Sequence, residues 1–540
     1  MEFDYIIVGA GSAGCVLADR LSACGRYQVL LLEAGGSDKR FFVQMPIGYG
    51  KTYYQKAVNW MYTAEPSAGT QDRKSYWPRG KVLGGSSSIN AMVFVRGNKQ
   101  DYDDWAAAGN PGWAYDDVLP YFKRMESWQG GENPYRGGHG PLIVSNVADQ
   151  LHPLCDNFIA AGQEMGLEFN PDMNAGRQEG VGFYQLTTHK GQRMSAARAY
   201  LWSARSRSNL QVIKRAQVTR LLLADKQIIG VEFSHRGKVR QAHAKREVVL
   251  SAGSINTPQI LQHSGIGPEQ VLSAAGVSLQ HQSPAVGQNL QDHLGMDYLY
   301  TSLIPTLNEQ LRPWYGKFWQ GLVYLLTRQG PLSLSVNQAG GFVKTRADLT
   351  YPNIQLYLSP VSYTRAPVGK RPLMNPDPFP AFLLGLSNCR PKSRGQVTIA
   401  SNDPLQAPTI EPNYLSHDDD VQDLLEGVKL LRKMALMPSL QQVIGKEIRP
   451  GPECQTDAQL IADIRGYAWT VFHPTSTCRM GPDPATSVVD HKLKVHGLKG
   501  LRIADASIFP QLICGNTNAA CTMVGEKAAD MILSDGEAIQ

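Results

Sequence analysis

Apolar residues run unbroken from Tyr5 to Val8 and again from Val29 to Leu32, and between them apolar positions recur at helical spacing. The pattern predicts a strand over Phe3 to Val8, a helix over about Ser12 to Cys24 and a second strand over Gln28 to Leu32, a βαβ unit. Farther on, LQVIKRAQVTRLLLADKQIIGVEFSH alternates well enough to predict a meander, and REVVLSAG reads as a buried strand returning to the first sheet. The stretch from about Asp297 to Pro450 is richer in Pro and aromatics and ends in a helical pattern, DDDVQDLLEGVKLLRKMALM. That shift marks a second domain inserted into the first. Gly and Pro are spread throughout, which suits many short elements joined by turns rather than a bundle or a repeat array.

The turn inside the βαβ unit carries chemistry. Gly9-Ala10-Gly11-Ser12-Ala13-Gly14 follows the first strand and opens the helix, and Glu33 ends the next strand nineteen positions after Gly14. Gly9 permits the tight turn, Gly11 lets backbone N–H groups approach a pyrophosphate at the positive helix end, and Gly14 lets helix and strand pack closely. Glu33 would accept hydrogen bonds from a ribose diol. The motif does not separate FAD from NAD, since both present the same ADP moiety.

Composition narrows the class. With 540 residues, 42% of them apolar, the chain can build two to four domains, and 19% charged residues with a net charge of +6 argue against disorder and nucleic-acid binding. No apolar run is long enough to span a membrane, and a strand beginning at Phe3 leaves no room for a signal peptide, so an unprocessed cytoplasmic protein is expected. The eight cysteines are scattered without ligand spacing, which predicts reduced thiols and no metal.

A second glycine-serine cluster, Trp77 to Asn90, places Arg79 and Lys81 beside Gly80, Gly84, Gly85 and Ser86, a loop suited to phosphate or flavin. From Gly80 through Asp103 the sequence resembles the first signature of the glucose-methanol-choline (GMC) flavoprotein oxidoreductases, and Gly253-Ser254-Ile255-Asn256-Thr257-Pro258 through Gly267 resembles the second. GQNLQDH (Gly287 to His293) and the stretch from His473 to Glu526 extend the resemblance over essentially the whole chain. It implies a mixed α/β architecture, with a Rossmann-like FAD domain (1–150, 195–296 and 455–540) and an antiparallel-sheet substrate domain (151–194 and 297–454). It also implies FAD contacts by Gly9, Gly11, Ser12, Ala13, Gly14, Glu33, Ala34, Arg79, Gly84, Ser86, Asn90, Ala91, Val93, Val218, Asp505, Ala506, Asn516 and Thr517. Members that tether the flavin do so through a histidine just before the signature asparagine. Ile89 stands there, so noncovalent FAD is expected.

Phe472-His473-Pro474 and Gly515-Asn516-Thr517-Asn518 look like the family's catalytic segments. Oxidising an alcohol needs a base for the hydroxyl proton and an acceptor for the hydride, and a neutral imidazole suits the first. His473 is the expected base and Asn516 the donor to the developing alkoxide, whereas His293 is expected only to anchor a turn. Gln338 resembles a position that carries Glu in choline-type members, and with Tyr357 and Phe472 it predicts a neutral pocket unsuited to a fixed cation. The expected function is oxidation of a neutral primary alcohol or polyol, with electrons passed to a quinone-like acceptor, as in bacterial alcohol and L-sorbose dehydrogenases of the family. An oxygen-dependent alcohol oxidase and a flavin-containing hydroxynitrile lyase are the alternatives. Residues 312–326 read as an ordinary helix over the substrate domain or as a contact with quinone or the inner membrane surface.

Overall fold

The computed structural model describes residues 1–363 and 375–538. Its opening is the βαβ unit: β1 (Glu2–Val8), α1 (Ser12–Ala23) and β2 (Val29–Glu33), with Tyr5 opposite Val29 and Val8 opposite Leu32 in parallel register. Both strands are buried on both faces, which is why they read as continuous apolar runs rather than alternations. On the other side of β1 lies the end of Lys238–Leu250, with Val8 opposite Leu250, and Leu501–Ile503 extends the parallel set.

The expected meander is shorter than its alternation suggests. Ala216–Ala224, Gln227–His235 and Lys238–Leu250 form an antiparallel set, but Leu210–Lys214 leaves it and pairs in parallel with β2. Arg215 separates them at φ 55°, its N–H donating to the Gly35 carbonyl. A left-handed residue of this kind redirects the chain without interrupting the side-chain alternation.

The second sheet is antiparallel throughout, in the order Ile444–Arg449, Leu294–Ser302, Ala381–Asn388, Ile354–Ser359, Ala339–Val343, Gly180–Phe183. The acidic-to-basic helix Asp418–Ala435 covers it, burying Leu424, Leu425, Val428 and Leu431. Three aspartates in its first turn and Arg432 with Lys433 in its last complement the helix dipole. Trp469–Thr470, in a stretch expected to belong to the FAD domain, pairs with Leu294–Gly295 in the second sheet. That pairing carries the chain directly into Phe472 and His473.

Candidate active site

A cavity of about 500 Å³ runs from the β1–α1 turn to the second sheet. At one end Gly9, Gly11, Ser12, Ala13, Glu33 and Ala34 line it. A Cβ on Gly9 would stand 2.5 Å from the Ser251 carbonyl oxygen, and one on Gly14 would stand 1.9 Å from the Gly9 carbonyl oxygen. These two glycines are fixed by packing of the scaffold. Gly11 differs: a Cβ there meets nothing nearer than 3.7 Å, so the missing side chain leaves open space above the N-terminus of α1. Open space bounded by backbone donors fits a pyrophosphate.

Glu33 is buried and its carboxylate accepts from Ala10 N–H at 3.0 Å and Gly35 N–H at 2.6 Å. Burial pushes its pKa up to about 7 against those hydrogen bonds. Each oxygen retains lone-pair capacity for a ribose hydroxyl. Arg79, Ser86, Asn90, Ala91, Val93, Val218, Asp505, Ala506, Asn516 and Thr517 also line the cavity. Asp505 is tied to the N-terminus of α2 (Gly253–His263), accepting from Gly253 N–H at 2.8 Å and the Thr257 hydroxyl at 2.6 Å.

Three expected positions fall outside the lining: Gly14, which packs against the Gly9 carbonyl, Gly84 and Gln338. Gly84 is a packing glycine at φ 88° whose Cβ would lie 2.2 Å from the Ser88 hydroxyl, and its neighbour Gly85 takes the cavity position instead. Gln338 is the largest correction. Its side-chain oxygen accepts from His152 N–H at 2.9 Å, with the Cys155 thiol at 3.7 Å, and its amide N–H group points to the Ser335 carbonyl. Val336 and Asn337 face the cavity, and Gln338 turns into the packing against Leu154–Glu164. At the second-sheet end of the cavity the wall carries a carboxylate, Asp297, near Tyr357 and Gly385. Tyr357 and Phe472 line the wall as expected.

The catalytic candidates are positioned by a strained turn. Phe472 has φ 68°, and its ring meets Tyr53 and Trp469 edge-on at 5.5 and 5.8 Å between centroids. The left-handed backbone of a bulky aromatic is costly, on the order of 1–3 kcal/mol, and persists here because its surroundings hold it. His473 N–H donates to Asp292 Oδ1 at 2.7 Å, and the other oxygen of that buried carboxylate accepts from Thr470 and Tyr414. Asp292 thereby fixes both ends of the turn.

Hydrogen bonding sets the imidazole tautomers. His293 Nε2 lies 2.9 Å from the Cys389 carbonyl oxygen, which can only accept, so Nε2 carries the proton. Its Nδ1 then offers a lone pair to His473 Nδ1, also at 2.9 Å, which must donate. His473 is left with an unprotonated Nε2, 3.2 Å from the Asn516 amide nitrogen. The Asn516 oxygen is 3.4 Å from the Gln355 amide nitrogen, which orients the Asn516 N–H group toward His473. Burial holds both imidazoles neutral, His293 at about 4 and His473 well below its ordinary value, the latter helped by His293 and Arg79 nearby. His293 is therefore more than a turn anchor: it is the acceptor that selects which His473 nitrogen faces the cavity.

Ile89 lines the same cavity and packs with Val43, Val58 and Val82. Its side chain has no atom able to form a flavin bond, so acid precipitation of the holoprotein should release all of the flavin into the supernatant. Flavin retained in the pellet would show a covalent tether.

The sequence model of the GMC oxidoreductases matches residues 3–295, and its C-terminal counterpart matches 391–525. The chain is 44% identical to an oxygen-dependent choline dehydrogenase of Photobacterium profundum, over 99% of this chain and 93% of that one. It is 41% identical to an alcohol dehydrogenase (acceptor) of Pseudomonas putida, over 98% and 96%. Among solved structures, pyridoxine 4-oxidase from Mesorbium loti superposes with a TM-score of 0.88 at 31% identity, covering 98% of each chain. A formate oxidase variant of Aspergillus oryzae RIB40, studied for FAD modification, gives 0.92 at 27% identity over 100% and 99%. A dinucleotide cradle opening onto an imidazole with a free Nε2, together with two family matches that span most of the sequence, leads to one assignment: the chain belongs to the GMC oxidoreductase family, whose members use FAD.

Proposed function

We propose that the protein oxidises a primary alcohol at its CH–OH carbon, with His473 as the base, and passes the electrons to a quinone-like acceptor. The observation that carries this reading is the unprotonated Nε2 of His473 beside the Asn516 amide on the cavity wall. FAD, when bound, supplies the hydride acceptor. Gly9, Gly11, Ser12, Ala13 and Glu33 would hold its ADP end, and Arg79, Ser86, Asn90 and Thr517 line the path onward. His473 Nε2 takes the hydroxyl proton, while His293 stabilises the resulting imidazolium through the Nδ1 contact. Asn516 donates an amide N–H to the oxygen on which negative charge grows. Tyr53, Phe472 and Trp469 restrict water around the reacting carbon.

A panel of primary alcohols and polyols, assayed separately against a soluble quinone and against oxygen, tests this reading. Faster turnover with the quinone supports it, and faster turnover with oxygen replaces it with the oxidase. Because His473 titrates well below 6.5, the rate of anaerobic flavin reduction should stay flat as pH falls from about 8 to about 6, where an ordinary histidine would already have lost more than half its base form. His293→Ala removes the tautomer-setting acceptor and should slow that step by about tenfold to a hundredfold, the usual size for a lost orienting partner. Gln at 293 offers an acceptor oxygen, so His293→Gln should recover part of the rate. A fall centred on pH 6.5 in the parent, or equal rates for all three proteins, would contradict this account of the imidazole pair.

Asp297 favours a second reading, an alcohol that carries a positive charge. Gln338 gives no ground for excluding such a substrate, because it does not face the cavity. On this reading Asp297→Asn raises KM for choline by about tenfold, the loss of roughly 1.4 kcal/mol of charge compensation, and leaves neutral alcohols unchanged. On the neutral reading choline is a poor substrate of both proteins.

A further inference from the structure

Helix α3 (Trp314–Thr327) buries only Tyr324, whose hydroxyl donates to the Gly191 carbonyl and whose ring meets Phe41. Its outer face is apolar. Trp314 is 80% exposed, Phe318 68% and Leu326 76%, with Tyr315, Trp319 and Leu325 also more than half exposed. At 3.6 residues per turn these positions occupy a single arc of about 140°. Single exposed apolar side chains are ordinary, but a contiguous face of this kind is a contact surface.

We propose that this face docks the protein on an anionic lipid bilayer, with α3 lying in the plane of the membrane surface. Two observations select that occupant. The face combines indole and phenol rings with leucines, the composition that suits the boundary between headgroups and acyl chains. Its charge also has one sign: between Arg312 and Arg328 there is no Asp or Glu, and Lys317 stands on the flank of the apolar arc. Lys51, placed over the Phe42 ring at 3.9 Å, adds a cation beside exposed Phe41 at the margin. A second copy of the chain would meet this face with flanking charges of the same sign, Arg312, Lys317 and Arg328, and no Asp or Glu between them to offset the repulsion, which opposes pairing. Anionic headgroups meet the same charges with attraction. No helix among the described residues is long and apolar enough to cross a membrane, so the contact is a surface one.

The surface is joined to the cavity. Tyr324 belongs to a buried cluster with Tyr49, Met92 and Val336, and those three also line the cavity. Docking through α3 therefore brings the cavity wall close to the bilayer, where a lipid-soluble acceptor would be concentrated.

The test is cosedimentation of the holoenzyme with phosphatidylglycerol-containing vesicles and with pure phosphatidylcholine vesicles, beside a Phe318→Glu/Leu326→Glu variant. Both substituted side chains are exposed, so flavin content and turnover with a water-soluble dye should remain those of the parent. The expected result is sedimentation with anionic vesicles, weakened by salt and reduced at least about tenfold in the variant. Equal binding to both vesicle types, no binding to either, or a dimer in light scattering that the same substitutions dissolve would overturn the proposal.

Discussion

His473→Ala is expected to slow anaerobic flavin reduction by an alcohol by about two to four orders of magnitude, the range for a positioned general base, while the protein stays fully yellow. The geometry explains why the effect should be large and why it should be confined to chemistry. His473 is held at three points: its backbone N–H donates to Asp292, its Nδ1 to His293, and its Nε2 stands beside the Asn516 amide. Alanine keeps the backbone bond to Asp292, so the turn and the cavity wall persist. What it removes is the only imidazole on the wall beside Asn516 among the described residues, and neither Asn516 nor Gln355 can accept a proton near neutral pH. Stopped-flow reduction under argon measures the step directly. A rate near that of the parent would remove His473 from the mechanism.

Gly11→Val should yield a folded protein without flavin. Gly11 has φ −78°, which valine adopts without strain, and the added Cβ meets no protein atom closer than 3.7 Å. The branched side chain would instead occupy the space above α1 into which the N–H groups of its first turn point. The contrast with Gly14→Ala makes the prediction specific. There the Cβ would lie 1.9 Å from the Gly9 carbonyl oxygen, so α1 must separate from β1 and stability should fall with cofactor binding. The ratio of flavin absorbance to protein, read together with thermal unfolding, separates the two outcomes. A yellow Gly11→Val protein would move the pyrophosphate away from this loop.

The parts of the site that were legible in the sequence are those set by local rules. The β1–α1 turn declares itself because three glycines and two apolar runs fall within thirty residues, and Gly9 and Gly14 each serve a steric need of the scaffold while Gly11 keeps the space above α1 open. His473 and Asn516 were found through motifs, and the structure brings their side chains within 3.2 Å although 43 residues separate them. His293 was read as a turn residue because its function depends on a histidine 180 positions away and on the Cys389 carbonyl. No periodicity reports such a meeting. Gln338 failed for a related reason. It immediately precedes the strand Ala339–Val343, and a one-residue difference in direction sends its amide to His152 while Asn337 takes the cavity face. Asp297 lies on a strand whose other residues are mostly buried and apolar, and only the pairing of Leu294–Ser302 with Ala381–Asn388 shows that it meets the cavity near Tyr357. Arg215 and Phe472 add the backbone case: their left-handed φ values redirect the chain at positions where neither residue type signals a turn.

Whether the site performs redox chemistry on an alcohol is tested most directly by mixing the holoenzyme with a primary alcohol in the absence of oxygen. The yellow flavin absorbance should bleach in a single turnover, with one aldehyde formed per flavin, and readmitting a quinone should restore the colour. Flavin that stays oxidised while a cyanohydrin is cleaved in the same cavity would contradict the redox assignment.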